Sequence, residues 1–324
     1  MSDSVVKNNN GVAVMTTARL HMGFFDLNGG LGRKFGSIGV SLDHPATQLQ
    51  AFKSDTFTVE GENGERALKM ACQLAKTLNL QGGVHLNIQS IIPEHAGLGS
   101  GTQLALAVGL AMNKLYGLSL TIKDIALMTE RGARSGIGLG TFAAGGVIVD
   151  GGRAEKTEIP PVIARADFPE EWRIILIFDH AKRGVHGAEE VEAFKTLPQF
   201  PADEAAMLCR SVLMQALPAL AEQDLAAFGA AIKQLQERTG DHFAPAQGGR
   251  YASRSVAEVI EWLGHQGVTC LGQSSWGPTG FAVYPTEQAA SSALIKLNDI
   301  FGEKKNLTFA LCKGRNQGGL VYDL

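Results

Sequence analysis

The chain has 324 residues, 45% of them hydrophobic and 19% charged, and a formal net charge of −3. That balance belongs to a globular protein rather than a disordered one, and without a long basic run it argues against nucleic acid as a partner. At about 150 residues per domain, the length calls for two domains.

The opening MSDSVVKNNN is polar and lacks the apolar stretch of a signal peptide, and no run of about 20 apolar residues follows, so no membrane span is expected. Cys72, Cys209, Cys270 and Cys312 are scattered without a CxxC pair, which fits reduced thiols and a cytoplasmic location. The histidines show no HxxxH or HExxH spacing, so no zinc site built by the protein is expected.

Gly11 to Phe25 is rich in β-formers and reads as one or two strands. Arg19 and His21 stand two apart in it and therefore share a face, which is then not pure core. Asp26, Asn28, Gly29, Gly30, Gly32, Arg33 and Lys34 follow in a loop suited to a polar ligand, and equally to a solvated hairpin turn. Short strands are predicted within 37–52 and 56–60. Between Gly64 and Leu80 an amphipathic helix buries Ala67, Ala71, Leu74 and Leu78, and Gly83 to Ile92 alternates as a strand.

That strand feeds PEHAGLGSGTQLALAVG, Pro93 to Gly109, around which the rest is organised. Gly97, Gly99 and Gly101 precede a helix whose stripe is Leu104, Val108, Ala111 and Leu115, so the glycines lie at a helix N-terminus. Backbone N–H groups there lack intrahelical partners and the dipole favours an anion. Glycine lets a phosphate approach the backbone, and Ser100 and Thr102 add hydroxyls for a phosphate oxygen or a magnesium ion. A turn that merely caps a core helix is the plain alternative.

A helix from Ser119 to Arg131, capped by Ser119 or Thr121 with Asp124 in its first turn, precedes a second Gly-rich segment, Ser135 to Gly152, which runs into a strand at 146–150. Pro160-Pro161 breaks regular structure, and the division is placed there: residues 1–165 and residues 166–324. The second half opens on Trp172 to Phe178, a continuous apolar strand fit for a central position. Just beyond it stand Asp179, His180, Lys182, Arg183, His186, Glu189 and Glu190, a cluster that suits a site or a solvated loop. Helices are predicted over 202–217 and 222–238, then the loop FAPAQGGRY and a helix with Val256, Val259, Ile260 and Leu263 inward. Val268 to Tyr284 gives strand, Gly-rich turn and strand, followed by a helix over 287–301, a strand over 307–311 and a tail carrying Lys313 and Arg315. The order suggests an α+β sandwich.

IPEHAGLGSGTQLALAVG resembles the P-x-x-x-G-L-G-S-S motif of the GHMP small-molecule kinase superfamily. The second Gly-rich segment is similar to its S-G-x-D…GG motif, and LGQSSWGPTG stands where its third motif falls. The resemblance implies an α+β fold of two domains, the first like ribosomal protein S5 and the second ferredoxin-like, with the ligand between them. Two departures matter. The aspartate that activates a substrate hydroxyl in the kinases falls on Gly138, which can take no proton, and the loop's second serine is Gly101.

ARLHMGFFDLNGGLGR, GLGSGTQ and GQSSWGP together look like the β-ribofuranosylaminobenzene 5'-phosphate synthases, a non-kinase branch of the superfamily. The branch implies condensation of 5-phosphoribosyl 1-diphosphate with p-aminobenzoate or 4-hydroxybenzoate, loss of diphosphate and carbon dioxide, Mg²⁺ and no organic cofactor. An atypical kinase and a non-catalytic phosphate-binding protein are the rivals, and a homodimer is left open. On this resemblance Asp26 and Arg33 are the expected catalytic residues. The expected substrate contacts are Arg19, His21, Asn28, Gly97, Gly99, Ser100, Gly101, Thr102, Lys182, Arg183, His186, Ser274, Ser275 and Trp276, with Ser100 and Thr102 near the metal.

Overall fold

The computed structural model describes residues 11–184 and 187–324. Three sheets organise it. β1 (Gly11–Met15), β4 (Gln48–Ser54), β6 (Gly83–Ser90), β5 (Thr58–Glu60) and β13 (Leu320–Asp323) form the first, in the order β13-β1-β4-β6-β5. β2 (Ala18–Asp26), β3 (Gly36–Leu42), β7 (Val147–Asp150) and β8 (Val162–Ala166) form the second in that order. The third runs β10 (Leu271–Gln273), β11 (Gly280–Tyr284), β9 (Arg173–Asp179) and β12 (Leu307–Cys312).

Helices α1 (Gly64–Thr77) and α2 (Ser100–Leu115) cover the first sheet, their Ala67, Ala71, Leu74, Leu104, Val108 and Ala111 packing on Val12, Leu49 and Leu86. The stripe predicted for α2 is buried, but so is most of the rest of that helix, with Leu106 packing on the opposite side against Ile125 and Phe142. α3 (Ile122–Met128) starts at Thr121 in a reciprocal capping box with Asp124, which fixes its first turn three residues after Ser119. α4 (Ile137–Ala144) was not evident in the sequence, because Gly138 and Gly140 weaken the helical signal. Here glycine serves close packing: a Cβ on Gly140 would stand 2.8 Å from Ile148 Cγ2.

In the second half come α5 (Gly187–Thr196), α6 (Ala202–Ser211), a π-helical turn (Val212–Ala216), α7 (Leu217–Glu222), α8 (Leu225–Gln247), α9 (Arg254–His265) and α10 (Glu287–Phe301). β9 lies between β11 and β12, and both its faces are covered. Ile174 and Leu176 enter one core while Ile175 and Ile177 pack with Val259, Ile260 and Leu297 in another, which is why the run lacks polar alternation. The expected loop FAPAQGGRY is helical through Gln247. Leu235, Thr239 and Phe243 keep one buried stripe past Gly240 and hold the last turns despite Pro245, until Gly248 ends the helix at φ 85°.

The largest core draws on both halves of the chain, with Leu20, Met22, Ile38 and Val149 against Trp172, Leu208, Phe228 and Ile232. The last strand also crosses back, since β13 pairs antiparallel with β1 from Val12↔Asp323 to Met15↔Leu320. The end of the chain, for which no strand was predicted, thus closes the edge of the first sheet. All four cysteines are unpaired. Among the described residues, no helix is long and apolar enough to cross a membrane.

Candidate active site

The glycine loop is the floor of a cleft of about 710 Å³. Gly97 (φ 75°) and Gly99 (φ 80°) adopt the left-handed backbone that leads into α2, and no side chain caps that helix. Arg19 Nη1 and Ser274 Oγ each donate to the Gly97 carbonyl at 2.7 Å, so the loop is clamped between β2 and the third Gly-rich segment. Ser274 Oγ also accepts from the His21 amide at 3.1 Å, and the Ser275 amide donates to the His21 carbonyl at 3.0 Å. The first and third sequence motifs therefore meet the middle one at a single place.

Three guanidinium groups stand against the loop. A Cβ on Gly99 would lie 2.8 Å from Arg19 Cγ, and one on Gly101 would lie 2.8 Å from Arg66 Nη2 and 3.3 Å from Arg131 Nη1. Gly101 has an ordinary helical backbone, so what requires glycine there is the space the two arginines occupy. Arg66 sits in the first turn of α1, where the dipole disfavours a cation, and Glu94 offsets this through a bond of 2.5 Å. Burial and, next, the neighbouring Arg66 charge push Arg131 down, and its buried Nε has no partner among the described residues. Burial likewise lowers Arg19 to about 10, opposed by the charge of Glu190. Like charges crowded at an uncapped helix start are the arrangement that a polyanion stabilises.

The cleft is completed by Phe24, His95, Glu130, Arg134, Ser135, Gly138, Ser275 and Glu190, the last ion-paired with Arg134. Gly138 lies beside Thr102, whose Cγ2 would be 3.2 Å from an added Cβ. Ser135 belongs to a cluster under the wall in which buried Asp150 accepts from Ser37 Oγ at 2.5 Å, Ser135 Oγ at 2.9 Å and the Gly136 amide at 3.0 Å. That carboxylate holds the start of α4. Burial raises its pKa, against the pull of those bonds.

His21 is 1% exposed and lines the cleft, yet neither ring nitrogen has a hydrogen-bond partner among the described residues. Burial, then the Arg19 charge, holds it well below its usual 6.5, so the ring is neutral at pH 7.

Of the residues singled out from the sequence, Arg19, His21, Gly97, Gly99, Ser100, Gly101, Thr102 and Ser275 line the cleft. Ser274 serves as the clamp behind it. Trp276 is a correction: it is 3% exposed and stacks on Phe243 at a 4.3 Å centroid distance, in an aromatic core. Asp26 and Arg33 also stand apart from the cleft walls. Asp26 is two residues beyond the cleft-lining Phe24 on β2 without itself entering the wall, and its Oδ1 accepts from the Asn28 and Gly29 amides in a local turn. Arg33 is exposed and donates at 2.8 Å to the carbonyls of Gly151 and Gly152. Asn28 Nδ2 donates to Phe200 O at 2.6 Å. Exposed Lys182 and Arg183 are not in the wall, and Lys313 and Arg315 line a separate depression with Asp43 and Glu170. His186 lies outside the described residues.

Arg66, Arg131 and Arg134 went unnoticed in the sequence. Arg66 stands on α1 and Arg131 and Arg134 in the connection between α3 and α4, and only the expectation that a glycine loop needs counter-charge would have prompted a search for them.

The family models for the GHMP kinases N terminal domain and the GHMP kinases C terminal match residues 65–146 and 216–302. The beta-ribofuranosylphenol 5'-phosphate synthase of Archaeoglobus fulgidus is 37% identical over 318 residues, covering 94% of this chain and 97% of the relative. The chain belongs to the GHMP family, in its beta-ribofuranosylphenol 5'-phosphate synthase branch. A GHMP protein of the same name from Methanocaldococcus jannaschii is 36% identical, over 89% of this chain and 93% of its own. Among solved structures, homoserine kinase from Cytophaga hutchinsonii superposes with a TM-score of 0.68 at 16% identity, over 99% of this chain and 100% of that one. Lactococcus lactis galactokinase gives 0.69 at 15% identity, over 96% and 95%. Those two likenesses speak to the two-domain α+β fold alone.

Proposed function

We propose that this GHMP protein condenses 5-phosphoribosyl 1-diphosphate with a para-substituted benzoate, 4-hydroxybenzoate or p-aminobenzoate, releasing diphosphate and carbon dioxide. The product would be an early precursor of the folate-like carrier tetrahydromethanopterin. The observation that carries the reading is the pair Arg66 and Arg131 set against Gly101 at the uncapped start of α2. With Arg19 they supply charge for a leaving diphosphate, whose departure leaves positive charge on ribose C1. The ring carbon bearing the carboxylate attacks C1, and the bond to the carboxylate then breaks so that its electron pair restores aromaticity. No proton leaves that carbon. A cleft with glycine at position 138, where the kinases keep an aspartate, suits this chemistry and not phosphoryl transfer to an alcohol.

Among the described residues, no three His, Cys, Asp or Glu side chains are grouped to hold a metal. The Ser100 and Thr102 hydroxyls at the loop are hard-oxygen donors that fit Mg²⁺ shared with diphosphate oxygens. They would hold it there, and its contribution would be to neutralise leaving-group charge. The four free thiols fit a reducing, cytoplasmic setting.

The test is to incubate the protein with 5-phosphoribosyl 1-diphosphate, Mg²⁺ and each carboxyl-labelled benzoate, and to count labelled carbon dioxide. Folded protein that releases none, or that instead hydrolyses ATP in response to a small alcohol, overturns the reading.

A further inference from the structure

The cleft holds a group that diphosphate binding does not use. Its arginines are suited to anions, Arg66 being paired with Glu94 and Arg134 with Glu190. His21 differs: it is neutral, buried at 1% exposure, and both ring nitrogens lack partners among the described residues. Leaving a buried polar group unpaired costs about 1–3 kcal/mol, so a residue kept this way calls for a partner, a water or a ligand. His21 lies in the partition between the cleft and a smaller cavity of about 20 Å³, both of which it lines together with Phe24 and Ser275. Its ring meets Phe24 edge to face at 4.6 Å, so the imidazole borders an aromatic surface within an otherwise polar cleft. The small cavity has room for about one water, too little for a benzoate, so an aromatic substrate can reach His21 only from the cleft side.

We infer that His21 is the base that takes the phenolic proton when 4-hydroxybenzoate is the aromatic substrate. This rests on the reading in the preceding subsection. As the ring carbon attacks ribose C1, the electron pair of the C1–O bond leaves with diphosphate, and the ring's positive charge collects on the para oxygen. The O–H bond then breaks, its proton moving to a His21 ring nitrogen and its electron pair forming the C=O of a cyclohexadienone. Cleavage of the bond to the carboxylate releases carbon dioxide and returns the electron pair through the ring to give a phenolate, which takes the proton back from His21. A weakly basic imidazole suffices, because the phenolic oxygen becomes strongly acidic as the carbon–carbon bond forms. p-Aminobenzoate needs no such partner, since its nitrogen lone pair gives an iminium with no proton lost.

The two acids therefore separate a proton-transfer role from a structural one. His21→Gln should lower kcat with 4-hydroxybenzoate by about 10²-fold more than it lowers kcat with p-aminobenzoate, while the two KM values change little. Equal losses with both acids, or no loss with 4-hydroxybenzoate, would overturn the inference. A second measurement needs no variant: with the wild-type protein, D₂O should slow carbon dioxide release from 4-hydroxybenzoate and leave release from p-aminobenzoate unchanged, and equal effects on both count against His21. Should the protein accept 4-hydroxybenzoate alone, the inference requires a D₂O effect that disappears in His21→Gln. Release from p-aminobenzoate alone would sink this inference only, whereas release from neither acid would sink the parent reading with it.

Discussion

Gly101→Ala puts the arrangement around the loop to a sharp test. The added Cβ would stand 2.8 Å from Arg66 Nη2 and 3.3 Å from Arg131 Nη1, so Arg66 must retreat by about half an ångström or more to reach ordinary contact. Both obstacles are the ends of flexible side chains, and residue 101 is helical, where alanine is preferred over glycine by up to about 1 kcal/mol. The fold should therefore survive, with a melting temperature at or above that of the wild type. Binding should not. A charge-assisted hydrogen bond contributes about 1.5–3 kcal/mol, so misaligning one guanidinium is worth roughly 10- to 100-fold in affinity. Calorimetric titration with inorganic diphosphate and the KM for 5-phosphoribosyl 1-diphosphate both read this. A folded Gly101→Ala protein with unchanged diphosphate affinity would show that Arg66 and Arg131 do not hold the leaving group.

Gly138→Asp restores the kinase pattern in sequence. Its Cβ needs only a small adjustment of Thr102, but its carboxylate would repel the diphosphate, so the KM for 5-phosphoribosyl 1-diphosphate should rise about tenfold with ATP hydrolysis still at background. Alcohol-dependent ATP hydrolysis by this variant would favour a kinase. Arg33→Ala, which removes two bonds to the Gly151 and Gly152 carbonyls away from the cleft, should keep turnover within about threefold of wild type in the carbon dioxide assay. A 10²-fold loss would bring Arg33 into the site. The His44–Asp43 pair ties the β3–β4 turn to the segment after β12. The bond from Asp43 raises His44 above its ordinary 6.5, while Asp43 falls below 3.8 because its bonds to His44 and the Lys313 amide outweigh burial. Their stabilisation is present between those two values. It is lost as pH rises through the raised His44 pKa and as pH falls through the lowered Asp43 pKa. Exposure limits it to under about 1 kcal/mol, so His44→Gln should lower the melting temperature slightly at pH 5.5 and less at pH 8.5. A larger effect at pH 8.5 would refute the sign.

Local sequence determined the parts of this protein whose physics is local. The glycine loop, the buried stripe of α2, the capping box at Thr121 and the apolar run of β9 each follow from neighbouring residues and a period of 3.6 or 2. The neighbours of that loop were decided only in three dimensions. Arg66 is on α1 while Arg131 and Arg134 share the turn after α3, and nothing in the sequence joins the first to the other two; packing of α1 beside α2 and that turn bring Arg66 and Arg131 against Gly101. Asp26 and Arg33 look functional because charges among glycines can serve a ligand or a turn equally well, and their hydrogen bonds place them in the turn. β13 carries too few residues to signal itself, since a four-residue strand is defined by its partner, and here the partner is β1 at the other end of the chain. Periodicity reports which face of an element is buried, but which faces come to share a cleft depends on contacts between distant segments.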